Sequence, residues 1–320
     1  MESIYFLASG KSFRSSSSVQ LINWNQSYTI VQGLLTKNKE DHPLEVQLTR
    51  NPATASLSRK FLADNVIKTR SKYLGTLRTV VFEPEDIRLV TGSPSRRRDF
   101  LDSVFQTSEW RYASALSQYH RALQNRNQLL DQIRDHQAAV TELFYWNQSI
   151  IKNAEILQNF RQSFIKSANN FFFSHSHPEI REISINYQPS IITADKIDKL
   201  QNQEIAQGYT LFGPHRDDFS LDSLHFDTPD KNLAFWGSRG QQRLAVLALR
   251  LAQINYLEET YHELPVLLLD DIFSELDSEY RHLVVAICQK YQTIFTSADA
   301  ESVEFLPQAN LLQISSPQIN

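Results

Sequence analysis

The 320 residues hold one cysteine, Cys288, and one methionine. A lone thiol excludes a disulfide framework and every metal site built from clustered cysteines. Cys288 closes the apolar run Leu283-Val-Val-Ala-Ile-Cys288, where it reads as a small buried hydrophobe rather than a nucleophile. Positive charge is not in excess either: Lys+Arg 32 against Asp+Glu 36 gives a net charge of −4. Any nucleic-acid partner must therefore meet a local basic patch. No apolar run approaches the roughly 18 to 20 residues that span a bilayer. The opening Met1-Glu-Ser-Ile-Tyr-Phe-Leu-Ala8 puts an acid ahead of its apolar residues, the wrong order for a secretory signal. A soluble chain of a reducing, cytoplasmic compartment, with no membrane partner, is expected. What is present, 41% hydrophobic and 21% charged residues, is enough to cover a sizeable core of one large or two coupled domains.

Residues 1–90 read as mixed α and β. Glu2–Ala8 has the pattern of a helix end, and a serine-rich loop follows at Ser15–Ser18. Strands are expected at Tyr28–Leu35, Leu44–Arg50 and Thr79–Phe82, the last closed by Pro84. Over 109–170 the pattern changes: Leu116, Leu123 and Leu130 recur at sevenfold spacing, with Ala113, His120 and Asn127 in the alternating seam positions. After a polar break near Asp135-His-Gln137 the spacing resumes at Leu143, Ile150, Leu157 and Phe164. Two helices joined by a short turn follow, forming either an antiparallel arm or part of an ordinary bundle. The expected organisation is an α/β part made from 1–90 and 180–320, interrupted by a helical insertion over 91–179. In the second half, Arg181–Tyr187 alternates as a half-buried strand, and Tyr209–Phe212 and Asp218–Leu221 flank the turn Gly213-Pro214. A helix over Gln241–Glu259, a buried strand Pro265–Leu269, a helix near 278–290 and a strand Thr293–Thr296 complete the series.

The strongest local signal is Val266-Leu-Leu-Leu-Asp270-Asp271. Four apolar residues make a buried strand, and two carboxylates stand where it leaves the sheet, the edge at which sheet ligands bind. In nucleotide-hydrolysing folds the first such acid helps hold Mg²⁺ and the second orients or deprotonates water. A strand ending in a solvated acidic turn gives the same string. Upstream, Ser238-Arg-Gly240-Gln241-Gln-Arg243 immediately precedes a helix. Serine caps helix starts, glycine admits close approach, and exposed amides favour an anion such as a terminal phosphate. A plain capped helix is the alternative for that stretch alone. The order of cap loop, helix, buried strand, Asp-Asp and then Ser274-Glu-Leu-Asp277 is harder to reach by accident.

These motifs resemble the signature motif, Walker B and D-loop of ABC-type ATPase heads, and within them the RecF family. Ala8-Ser-Gly-Lys-Ser-Phe-Arg14, Phe82-Glu-Pro-Glu-Asp86, Gly92–Asp102 and Gly213-Pro-His-Arg-Asp-Asp218 agree with the same family, so the resemblance runs over nearly the whole chain. It implies an α/β ABC-type head, P-loop-NTPase-like with mixed sheets, carrying an inserted helical arm. By position it makes Asp270 the Mg²⁺ ligand and Asp271 the acid that positions water. Ser238, Gly240 and Gln241 become a signature loop reaching the γ-phosphate of ATP held by the other subunit of a dimer. Asp277 falls in the D-loop and Thr296 at the switch position, where transporter ATPases usually carry histidine. Glu83-Pro-Glu85, where many heads have a Q-loop glutamine, is assigned no ligand role. The family further implies ATP-dependent dimerisation with slow hydrolysis and binding of single-stranded DNA and duplex junctions. It also implies work with RecO and RecR in recombinase loading, replication restart and the SOS response.

One departure is large. The family's Walker A loop, Gly-x-x-x-x-Gly-Lys-Ser/Thr, cradles phosphates. Gly10-Lys11-Ser12 imitates its end, but the earlier glycine would fall at Tyr5, and a helix rather than a strand precedes it. It is not a phosphate loop. Glu2–Ala8 resembles the helix that follows Walker A, so the sequence is expected to start just past the loop and to bind ATP weakly or not at all by itself. A non-hydrolysing DNA-binding or assembly protein that has lost its nucleotide site is the alternative reading. A transporter's nucleotide-binding subunit is disfavoured by the Arg96-Arg97-Arg98 segment, the heptad helices and the missing switch histidine.

The local basic patch is sought at Arg96-Arg97-Arg98, which follows the turn Gly92-Ser-Pro-Ser95. Clustered arginines serve phosphate backbones, and a solvated or acid-paired helix face is the alternative. The family resemblance favours the first use, with Lys11 and Arg14 as weaker candidates. His215-Arg-Asp217-Asp218 is too compact to converge on a metal and is expected to be structural or at an interface.

Overall fold

The computed structural model describes the chain apart from residues 16, 228, 276–277, 298–307 and 313–320 and the side chains of 275, 278 and 279. In chain order its longer helices and its strands are α1 (Glu2–Ser9), β1 (Tyr28–Lys37), β2 (Glu40–Arg50), β3 (Leu57–Ala63), β4 (Val66–Lys68), β5 (Thr79–Phe82), α2 (Pro94–Gln106), α3 (Trp110–Arg134), α4 (Leu143–Ser174), β6 (Ile183–Gln188), α5 (Ala194–Gln207), β7 (Asp218–Ser223), α6 (Arg239–Tyr261), β8 (Val266–Asp270), α7 (Ser278–Lys290) and β9 (Thr293–Thr296). No helix among the described residues is long and apolar enough to cross a membrane.

Strands β1 to β4 form an antiparallel meander. Two of its turns place consecutive residues at positive φ, Asn38 and Lys39 in one and Asp64 and Asn65 in the other, the geometry that tight hairpins favour. Alternate residues Leu44, Val46 and Leu48 point inward with Phe61 and Ala63, and α1 packs Phe6, Leu7 and Ala8 onto them. The Tyr73 hydroxyl donates to the Leu7 carbonyl at 2.7 Å and fixes the helix to the sheet's end. The first two strands match the expected positions. β3 and β4 were not anticipated, although Asp64-Asn65 is a turn signal of the kind that marks a hairpin.

The second sheet is parallel, with β8 between β5 and β9. Buried on both faces, its strands read as continuous apolar runs: Val80, Phe82, Leu267, Leu268 and Leu269 are all buried. The register sets Phe82 beside Leu269 and Asp270 beside Thr296, so three carboxyl ends open on one edge. β6 and β7 form a separate antiparallel pair.

Helices α3 and α4 pack antiparallel, since Tyr112 near the start of α3 meets Arg161 late in α4, and Arg126 late in α3 meets Asn147 early in α4. The heptad spacing holds, and of the expected α3 positions Ala113, Leu116 and Leu130 are buried; a second row of residues, one position earlier, is buried beside them. Tyr112, Ala115, Tyr119, Ala122, Arg126, Leu129 and Ile133 are buried, while His120 is exposed and Leu123 only half-buried. Leucine spacing marked only part of this face, because two tyrosines and an arginine are buried on it as well. In α4 the expected Leu143, Ile150, Leu157 and Phe164 are all buried. One core runs from these helices through Phe100 and Val104 of α2 to Leu244–Leu257 of α6 and the parallel sheet.

Buried charges in this core are matched. Arg161 donates to Asp102 at 2.7 Å and to Asp217 at 2.8 Å, and Asp217 also accepts from Tyr187, Gln158 and the Ser190 amide. Arg126 pairs with Glu204 at 2.6 Å, and Arg250 with Asp86. Tyr209–Phe212 makes no strand: the Thr210 and Leu211 amides donate instead to the side chains of Asn127 and Glu204. Helix side chains there satisfy the backbone that a ladder would otherwise have taken. Cys288 is half-buried against the core, and burial pushes its thiol pKa up.

Candidate functional site

Strand β8 delivers Asp270 to the sheet's carboxyl edge because its four preceding residues are held by burial and by ladders on both sides. The Thr296 hydroxyl, beside it on β9, donates to Asp270 Oδ1 at 2.7 Å. Arg14 approaches from the loop after α1 and donates Nη2 to Asp270 Oδ2 at 2.5 Å. That loop is shaped by Ser12, whose Oγ accepts from the amides of Arg14 and Ser15. Partial burial opposes ionisation of Asp270, but the bonds from Thr296 and Arg14 outweigh it and hold the carboxyl below its usual range. Asp271 follows at φ 49, in the left-handed region. Its amide donates to the Thr296 carbonyl at 3.1 Å, and its carboxylate accepts from Ser274 Oγ at 2.8 Å. Asp270, Asp271 and Thr296 are thus brought together, with Arg14 bound to them. Asp277 lies outside the described residues.

Glu83 joins this edge, a residue to which the sequence reading gave no role. It leaves β5, the parallel neighbour of β8, and caps the helical turn Pro84–Ile87, its amide accepted by Asp86 at 3.0 Å. Burial first, then the Asp86 charge, raise its carboxyl to about 7; Arg250 opposes this and Asp270 adds to it. The available signal was the string Thr79-Val-Val-Phe-Glu83, an apolar strand ending in an acid just as β8 does. A small apolar cavity beside Glu83 is lined by Phe82, Asp86, Arg243, Leu247 and Ile272, connecting this edge to α6.

Ser238 caps α6 in a reciprocal capping box: Ser238 Oγ accepts from the Gln241 amide at 3.3 Å, and Gln241 Oε1 accepts from the Ser238 amide at 2.9 Å. Ser238, Gly240 and Gln241 line an open cleft with Glu179, Glu182, His225 and Tyr280. None of the edge residues Asp270, Asp271, Thr296 or Glu83 lines that cleft.

The basic candidates divide. Arg97 makes a two-pronged pair with Asp218 at 2.7 and 2.9 Å and donates to the Gly92 carbonyl. Arg98 donates to the Asp217 carbonyl at 3.0 Å. Both are anchors between α2 and β7. Arg96, 38% exposed, is only loosely paired with Glu85 at 3.8 Å. Lys11 is exposed and bonds Gln106 at 2.5 Å, whereas Arg14 is taken up by Asp270. Gly10 stands at φ 69 as the C-cap of α1, followed by no helix start, so Gly10-Lys11-Ser12 has the wrong surroundings for a phosphate loop. His215 is structural: Nδ1 bonds the Tyr119 hydroxyl at 2.7 Å, and burial lowers its pKa to about 4.

No protein-family model matches the chain. Its sequence is similar to the DNA replication and repair protein RecF of Oceanobacillus iheyensis, 32% identical over 342 aligned residues that take in all of this chain and 89% of that protein. RecF of Bacillus cytotoxicus is 33% identical over 349 residues, covering the whole chain and 88% of the relative. Among solved structures, the recombination mediator protein RecF-ATPrS of the RecFOR pathway superposes with a TM-score of 0.82 at 26% identity, over 94% of this chain and 83% of that one. The RecF-ATP structure gives 0.80 over 94% and 82%.

Proposed function

This chain belongs to the RecF family of DNA replication and repair proteins, with the fold of an ABC-type ATPase head, and on that premise we propose that it works as an ATP-dependent dimer on DNA. Asp270 is the Mg²⁺ ligand of the reading and Asp271 the acid that positions water. Ser238, Gly240 and Gln241 reach the terminal phosphate of nucleotide held by a second copy, and Asp277 belongs to the same interface. Hard oxygen donors at a sheet's carboxyl edge are what Mg²⁺ takes, completed by phosphate and water. No group of three or more His, Cys, Asp or Glu side chains gathers to hold an ion by itself among the described residues, so a cation at Asp270 draws its other ligands from phosphate and water. Held there, the cation would supply neutralisation of charge on the transferring phosphate. For it to enter, Arg14 must release Asp270 Oδ2.

One observation carries the reading: Asp270 and Thr296 stand together at the carboxyl edge of the parallel sheet, while Ser238, Gly240 and Gln241 line a cleft to which none of those edge residues contributes. A helix N-terminus attracts a terminal phosphate and an acidic edge holds its cation, and a twofold pair supplies each seat with both. Nucleotide then acts as a clamp between copies, and hydrolysis opens it. From the family we take the DNA substrates, single strands and duplex junctions, the partners RecO and RecR, and roles in recombinase loading, replication restart and SOS induction. The test is binding of gapped duplex DNA with and without millimolar Mg-ATP, read by fluorescence anisotropy. Because Gly10-Lys11-Ser12 is not a phosphate loop, nucleotide is supplied at millimolar concentration, where weak binding still fills the seat. The proposal expects tighter DNA binding with it and loss of that gain in Ser238→Arg, and nucleotide-independent binding in both proteins overturns it.

A further inference from the structure

We infer that Tyr209 and Arg216 form a stacking platform for one base of single-stranded nucleic acid, with the adjoining phosphate held by the guanidinium. This rests on the DNA reading above and gives it a surface, since Arg97 and Arg98 are taken up inside the fold. Tyr209 follows α5 and is 41% exposed. Arg216 is exposed and lies over the Tyr209 ring, its guanidinium carbon 5.6 Å from the centroid. The segment between them forms no strand, yet the protein ties its backbone at almost every step. Gly208 closes α5 at φ 75. The Thr210 amide and hydroxyl donate to Asn127 Oδ1 at 2.9 and 2.7 Å, and the Leu211 amide to Glu204 Oε1 at 2.8 Å. Arg126, fully buried, joins the two by donating to Thr210 Oγ1 at 2.8 Å and to Glu204 at 2.6 Å. Gly213 stands at φ 124, where a Cβ would fall 2.3 Å from the Tyr119 hydroxyl. From there the chain turns back, the Arg216 amide donating to the Gly213 carbonyl at 2.8 Å.

A buried ion pair is a costly way to hold a loop, and rigidly held loops with outward side chains are where binding residues gather. The charges of this stretch are sorted by direction. Asp217 is fully buried and bound by Arg161 at 2.8 Å, and Asp218 is taken by both prongs of Arg97. Arg216, the residue before them, faces out and pairs with no carboxylate among the described residues. Lys196 of α5 adds a second cation beside the loop, its Nζ 3.8 Å from the centre of the Phe212 ring and bonded to the neutral Ile191 carbonyl at 3.1 Å. Two aromatic rings each accompanied by a cation, with the neighbouring acids turned inward, suit an anionic chain that carries flat bases. A guanidinium can serve a ring face and a phosphate together. An acidic peptide matches the charge but leaves the open part of the Tyr209 ring unused, and a duplex keeps its bases stacked out of reach.

The test is fluorescence anisotropy of the full chain, at millimolar Mg-ATP and across a salt series, with labelled oligo-dT and with an abasic oligomer of the same length. Wild type is compared with Tyr209→Ala, Tyr209→Phe and Arg216→Gln. Tyr209→Ala should weaken oligo-dT binding by about fivefold or more and leave the abasic oligomer unchanged. Tyr209→Phe keeps the ring and should bind as wild type does. Arg216→Gln should weaken both oligomers and make the salt slope shallower by about 0.7. Photocrosslinking of an iodouracil-substituted oligomer should mark Tyr209. Oligo-dT binding that is the same in wild type and all three variants overturns the platform and leaves the DNA reading in place, whereas a wild type that binds neither oligomer overturns both. Equal losses in Tyr209→Phe and Tyr209→Ala would assign the effect to the hydroxyl and overturn the stacking role. Displacement of oligo-dT by polyglutamate as readily as by unlabelled oligo-dT would identify an acidic peptide as the ligand and overturn the inference as well.

Discussion

At the scale of single residues, the charges nearest the chemistry differ from those that hold the molecule together. Asp270 keeps its carboxylate with two donors and stands at an open edge, whereas Asp217 spends its oxygens on Arg161, Tyr187, Gln158 and the Ser190 amide inside the core. Arg161→Met is therefore expected to cost about 3 to 5 kcal/mol in urea unfolding, because it strands Asp102 and Asp217 as buried charges. His215 sets a pH dependence of known sign. Its folded pKa of about 4 lies below the ordinary value of 6.5, so its contribution is complete above pH 6.5 and is lost as pH falls towards 4. His215→Gln should flatten the slope of unfolding free energy against pH across that window relative to wild type. An unchanged slope would place His215 in water. The motif residues were legible singly, because strand-plus-acid and Ser-x-Gly carry their own chemistry. Glu83 and the internal use of Arg97 were not, since both depend on what a distant element brings alongside.

At the scale of elements, the sequence was most readable where one period dominates. The apolar runs Thr79–Phe82 and Val266–Leu269 became neighbouring parallel strands, and α4 buried the leucine-type positions its spacing marked. In α3 the same sevenfold rule found Ala113, Leu116 and Leu130 but missed the row beside them, because Tyr112, Tyr119 and Arg126 are buried there with polar partners. Hydropathy prices those side chains as exposed. β3, with Ser58, Arg59 and Lys60 in sequence, was hidden for a similar reason: one face of the strand meets solvent. The start of α6 is a separate matter, as its capping box was visible in Ser238-x-x-Gln241. Ser238→Ala should cost about 1 kcal/mol of stability through the lost cap, measured by chemical denaturation. A neutral result would mean that the helix start is held by something other than Ser238.

At the scale of the whole molecule, we propose that 1–90 with 180–320 constitutes the ATPase head and 91–179 a helical insertion. A continuous core joins them through Phe100, Tyr112, Phe164 and Tyr256, so the insertion is built into the head at its base. This arrangement keeps the carboxyl edge of the parallel sheet and the start of α6 fixed relative to each other on one body, as a two-copy clamp needs. The central claim is that the two surfaces serve different nucleotides across a twofold axis. The most direct test mixes Asp270→Asn protein with Ser238→Arg protein at millimolar Mg-ATP and follows dimer formation and ATP hydrolysis by sedimentation and phosphate release. Each variant alone should fail where wild type succeeds. The equimolar mixture should recover a substantial part of wild-type behaviour, because every mixed dimer holds one seat with both groups intact. A mixture as inactive as its components, beside an active wild type, would place both groups at one seat within a single chain and contradict the account.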